Sequence, residues 1–92
     1  MTAPTLDSFS RQALAEGFDE VLVREWPADL VLDTHTHPFS VSAYVERGEY
    51  WLTIGDQVKH LQAGDSFRLG RDVAHSERYG PQGATVWVAR AN

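Results

Sequence analysis

From Leu6 to Glu16 the apolar side chains fall at Leu6, Phe9, Ala13 and Leu14, one stripe at helical spacing. The spacing predicts a helix over about 6–16. Thr5 or Asp7 can cap its start, and Gly17 sits where helices often end in a left-handed residue. So short a helix needs the body of the protein to hold it. After Phe18 the period drops to two. Residues 20–26 read as a strand closed by Pro27. Residues 30–32 lead a second strand into His35-Thr36-His37, and Pro38 interrupts it. Residues 41–45 alternate and stop at Arg47-Gly48. Residues 49–54 follow, Gly55-Asp56 has the form of a two-residue hairpin, and 57–61 return from it. Ala63-Gly64-Asp65 turns again. Residues 66–69, 74–78 and 85–89 complete the set, the last two separated by a turn at Gly80-Pro81-Gln82-Gly83. About eight short strands with one N-terminal helix predict an all-β sandwich or barrel. Long helices do not alternate with the strands, which argues against a parallel βαβ fold.

Ninety-two residues suffice for one core, so the chain reads as a single domain over 1–92, the helix at about 6–16 and the barrel at about 20–90. It contains no cysteine, which removes disulfides, thiolate metal ligands and cysteine nucleophiles together. The net charge is −5 and the basic residues are scattered singly, so no basic stripe is available for nucleic acid. No apolar run approaches bilayer length, and no basic segment followed by an apolar run opens the chain. The expectation is a cytoplasmic protein with neither nucleic acid nor membrane as partner.

The candidate chemistry centres on His35-Thr36-His37. Residues i and i+2 of a strand share a face, so two imidazoles can aim at one point, and imidazole is a common transition-metal ligand. His75 opens a later strand, about forty residues on. In an antiparallel barrel these three histidines can converge, and three is the number of protein ligands that a catalytic metal site usually keeps. Glu77 shares the face of His75. It reads as a metal ligand, an orienting group or a proton carrier, or else as a surface glutamate at a strand end. His60 is out of phase with Leu61 and is expected to point outward. Asp33 reads as a solvated loop carboxylate. Arg68 and Arg78 are either holders of an anionic substrate or rim charges. Tyr44, Tyr50, Trp51, Trp87 and Phe39 are candidate pocket walls or plain core. Trp51 alternates against Leu52 and Ile54, which predicts an outward-facing tryptophan and, through it, a homodimer.

Two stretches carry a family resemblance. His35-Thr36-His37 followed by Tyr44-Val45-Glu46-Arg47-Gly48-Glu49 is similar to G-x5-H-x-H-x3,4-E-x6-G, the first motif of the cupin family. Gly64-Asp65-Ser66-Phe67-Arg68-Leu69 followed by His75 is similar to the second, G-x5-P-x-G-x2-H-x3-N. From about Trp26 to Val88 the chain resembles the small single-domain, RmlC-like cupins. The resemblance implies a double-stranded β-helix (jelly-roll) barrel with a metal near its axis, held by His35, His37 and His75. It also marks departures. The motif's glutamate falls on Val41 or, with one more residue, Ser42; the proline and glycine of the second motif fall on Gly70 and Asp72, and its asparagine on Tyr79. Thiol and diketone dioxygenases of the cupin type resemble such a three-histidine arrangement. The resemblance therefore implies a divalent transition metal (iron, zinc, nickel or manganese), a small-molecule ligand, and a dioxygenase or related oxidoreductase; Glu77, on the face of His75, is the candidate catalytic group from its position alone. Two alternatives stand beside it. One is a non-enzymatic small-molecule-binding barrel, which the dry Val41 favours. The other is a metal-free acid–base catalyst built on His75 and Glu77, as in epimerases of related fold.

Overall fold

The computed structural model describes residues 3–92. Its helix α1 (Leu6–Ala15) starts on a reciprocal cap. The Ser8 N–H donates to Thr5 Oγ1 at 3.0 Å, and the Thr5 N–H donates to Ser8 Oγ at 2.9 Å. Thr5, not Asp7, is therefore the cap, and Gly17 takes φ +97° beyond the far end. The apolar stripe is only partly used. Ala13 is buried and Phe9 packs on Trp87 at 5.9 Å between ring centroids, while Leu6 and Leu14 stay exposed. Arg68 ties the end of the helix to the barrel through a 2.8 Å ion pair with Glu16. Among the described residues, no helix is long and apolar enough to cross a membrane.

Six strands follow: β1 (Glu20–Trp26), β2 (Val31–His35), β3 (Ser40–Ile54), β4 (Gln57–Gln62), β5 (Ser66–Leu69) and β6 (His75–Ala91). All pair antiparallel. The pattern had suggested about eight. The difference lies at Arg47-Gly48 and at residues 80–83, where a stop and a turn were expected and the chain instead bends and continues. β3 and β6 pair from Ser40↔Ala91 to Thr53↔Ser76, with register shifts between Val45 and Arg47 and between Gly48 and Tyr50. Such irregularities bend a strand without ending it. The glycines here make room for close backbone crossings. A Cβ added to Gly48 would lie 2.1 Å from the Gly83 carbonyl oxygen, and one added to Gly83 would lie 2.2 Å from the Trp26 carbonyl oxygen.

The bends give each long strand two halves. Residues 84–90 of β6 pair with β1, and residues 41–44 of β3 with β5. Beyond the bend, residues 75–78 of β6 pair with β2, and residues 49–54 of β3 with β4. Both halves contribute to one core, whose largest fully buried side chains are Tyr50, Tyr79, Leu52, Val45 and Val86. The architecture is thus all-β, as the alternation predicts. On the outer face Trp51 lies between its two cross-strand neighbours. His60 stacks on the indole at 4.6 Å between centroids and 3° between planes, and the Arg78 guanidinium lies 4.2 Å from the ring centroid. The outward tryptophan is therefore half-buried by its own neighbours. His60 also points outward, as expected, and bonds to Glu49 at 2.8 Å.

Replacing Gly83 by Ala is expected to cost at least about 3 kcal/mol, because backbone must move as well as strain be absorbed. Gly55→Ala, at a hairpin position with open space around it, should cost only about 1–2 kcal/mol. Urea denaturation of the two variants measures the contrast.

Candidate metal centre

β2 and β6 are neighbours, and their register sets His35 directly opposite His75. His37 lies two residues beyond the end of β2, and the Asp72 N–H donates to its carbonyl at 2.8 Å. That bond joins the His-x-His segment to the turn leading into β6. The three rings form a tight group, with centroids 4.8 Å apart for His35 and His37, 4.4 Å for His35 and His75, and 5.0 Å for His37 and His75. One candidate ligand atom from each lies within 4.8 Å of the other two.

Two of the rings are oriented by the backbone. His35 Nδ1 lies 2.7 Å from the Asp33 carbonyl and His75 Nδ1 lies 2.9 Å from the Val73 carbonyl. A carbonyl only accepts, so each Nδ1 carries the proton and each Nε2 presents a lone pair. His75 is 2% exposed, and its Nε2 is buried without a hydrogen-bond partner. An unpartnered buried polar atom costs about 1–3 kcal/mol, and an ion at the centre of the cluster would remove that cost. His37 stacks on Phe39 at 4.9 Å. Burial holds its pKa below the ordinary histidine value, and the neighbouring His75, His35, Arg90 and Arg24 charges act in the same sense. A neutral imidazole is the form that binds metal, so the donor set fits a borderline transition metal.

The cluster opens into a cavity of about 290 Å³. Its walls are largely apolar, with Trp26, Phe39, Val41 and Tyr50 among them. Glu77 also lines it, on the same strand face as His75 but outside the three-histidine group. Its Oε2 accepts from Tyr79 Oη at 3.2 Å. Tyr79 is stacked between Trp26, at 5.2 Å, and Tyr50, at 4.8 Å. Burial first, and then the Glu77 charge, push both phenols well above the usual tyrosine range. Both stay protonated, and Tyr79 is a fixed donor to the carboxylate.

Of the other residues singled out in the sequence, Tyr50 and Phe39 are cavity walls. Tyr44 and Trp87 stack on each other at 5.0 Å beside the helix. Arg68 and Arg78 do not reach the cavity, being engaged with Glu16 and Trp51. Two arginines that the sequence did not single out do reach it, Arg24 and Arg90. Arg24 shares parity with Leu22 and Trp26, but Val21 and Val23 make the other face of that strand equally apolar. The strand pattern alone therefore did not assign it an inward position.

Residues 21–88 match the model of the cupin domain. The chain belongs to the cupin family. Among curated proteins, none matches it. Solved structures similar to this cupin include the Cnp3 cupin domain of Schizosaccharomyces pombe, with a TM-score of 0.73 and 16% identity over 84% of this chain and 55% of that one. An uncharacterized double-stranded β-helix protein from Klebsiella pneumoniae aligns with a TM-score of 0.66 and 26% identity over 77% of this chain and 64% of that one. The DMSP lyase DddQ from Ruegeria pomeroyi aligns with a TM-score of 0.71 and 22% identity over 78% of this chain and 37% of that one. The chain thus spans less than two thirds of each of these three. The cupin barrel expected from the two motifs is the fold found. In this cupin the wall position where the family motif carries glutamate is occupied by Val41, 7% exposed.

A Tyr79→Phe, Glu77→Ala double-mutant cycle should give a coupling of about 0.5–1.5 kcal/mol, the usual worth of a partly buried hydrogen bond. Urea denaturation of the four proteins measures it, and a coupling near zero would mean that Tyr79 does not hold the carboxylate.

Proposed function

We propose that this cupin binds a divalent transition metal through His35, His37 and His75 and acts on a small molecule in the adjoining cavity. The observation that carries the reading is the buried, unpartnered Nε2 of His75 beside two further imidazoles. A bound ion would supply Lewis-acid polarisation of a ligand atom or, if iron, oxygen activation. The residues do the rest. The Asp33 and Val73 carbonyls keep the proton on Nδ1 and direct Nε2 toward the shared centre. The apolar walls exclude water from the ligand, which strengthens every polar contact inside. Glu77 sits in the wall with a carboxylate held by Tyr79, and its role is to take up or return a proton of the ligand.

The ligand set favours a dioxygenase or related oxidoreductase, since three neutral imidazoles leave the full charge of the ion available to substrate. A second reading is lyase-type proton chemistry. It is favoured by the placement of Glu77 in the cavity yet outside the histidine group. One of the structural neighbours is a lyase.

Untagged protein should take up about one transition-metal ion per chain, measured by elemental analysis after titration and desalting. His75→Ala should lower the affinity by at least about a hundredfold, since it removes one of three ligands. His60→Ala should leave uptake unchanged, and Glu77→Gln should keep the metal. Folded protein that takes up no iron, zinc, nickel or manganese would sink the reading.

A further inference from the structure

The cavity holds a cation that the three-histidine centre does not use. Arg24 lies on β1 in phase with Leu22 and Trp26, and all three line the cavity. β1 belongs to the other half of the fold from the histidine strands, pairing with residues 84–90 of β6 where β2 pairs with residues 75–78. Arg24 therefore reaches the cavity from a different wall than His35 and His75. Its guanidinium is seated over the Trp26 ring at 5.0 Å from the centroid, which steadies the group and leaves its N–H fork free to donate.

The other charges around the cavity are engaged. Arg90 is paired with Glu20 through two contacts, one of them 2.9 Å from Nε, and Glu77 accepts from Tyr79. Among the described residues, Arg24 has no acidic side chain within ion-pair distance. An exposed guanidinium stacked on Trp26, without a counter-ion and at the rim of a largely apolar cavity, is a receptor for a planar anion, and a carboxylate matches its fork with two parallel hydrogen bonds. The size narrows the choice further. At about 290 Å³ the cavity is at or below the low end for drug-sized ligands.

We propose that Arg24 is the carboxylate-recognition residue of this site, and that the natural ligand is a small carboxylic acid with a short apolar body. The acid group lies on Arg24, the body lies against Leu22, Trp26 and Val88, and the far end faces the histidines. The inference deepens the proposed function, since it assigns the substrate class of the same cavity, but its test does not need the metal.

Chelator-treated protein is titrated with isovalerate, isovaleramide and inorganic phosphate at about pH 8, where free imidazoles are neutral. Binding is followed by NMR shifts of the tryptophan side chains. The acid should bind at least about tenfold more tightly than the amide, the scale of one charge-assisted pair. Arg24→Gln should reduce that preference to less than about twofold, Arg24→Lys should keep part of it, and Arg78→Gln, on the outer face, should keep all of it. Equal binding of acid and amide by the native protein would overturn the proposal. So would an acid preference that survives in Arg24→Gln, or phosphate binding more tightly than isovalerate. An acid preference in protein that takes up no metal would sink the metal reading and leave this one standing. Metal uptake without an acid preference would do the reverse.

Discussion

Backbone hydrogen bonds between β3 and β6 run from Ser40↔Ala91 to Thr53↔Ser76, and every other strand is added to an edge of that pair. β1 and β2 attach to β6, β4 and β5 to β3. Because both long strands bend at glycines, one continuous pair serves two walls, and the cavity is the space those walls enclose. β6 delivers His75 at its first residue and Arg90 near its last to the same cavity. The side-chain period of a strand is two, so a slip of one residue in this pairing would turn the inward set out together. The core around Tyr50, Leu52, Tyr79 and Val86 fixes the register that the site needs.

The electrostatics of the chain and of its cavity are opposite in sign. The sequence carries a net charge of −5, yet two arginines line the cavity and one glutamate does. Long-range steering of an anion toward such a molecule is weak or adverse. Recognition of an anion by such a molecule would have to be local, made at short range by groups that line the cavity.

Much of this was legible in the sequence. Period-two alternation located a part of every strand, and the helix, with Thr5 or Asp7 as its cap, and the Gly55-Asp56 hairpin followed from local chemistry. The two histidine motifs named the residues that cluster. What failed has a common physical cause. Arg47-Gly48 and Gly80-Pro81-Gln82-Gly83 look like reversals because glycine marks freedom at a position, not the use made of it. Only the partner strand decides between a bend and a turn. Arg24 was missed for a similar reason: with valines on one face and Leu22 and Trp26 on the other, the strand has no face that its sequence alone declares inward. Trp51 was placed on the correct face, but its coverage by His60 and Arg78 depends on two cross-strand neighbours far away in sequence.

His35 and His75 are oriented in the same manner, each Nδ1 bound to the carbonyl two residues earlier in the chain. Among the described residues, no side chain hydrogen-bonds either ring. The donor geometry is therefore insulated from the composition of the cavity. Leu22, Arg24, Phe39 or Val88 can be exchanged to reshape what the cavity accepts without disturbing how these two imidazoles are aimed. For an engineer, that separates two problems usually solved together: the centre can be kept as a fixed module while the walls around it are redesigned for another ligand.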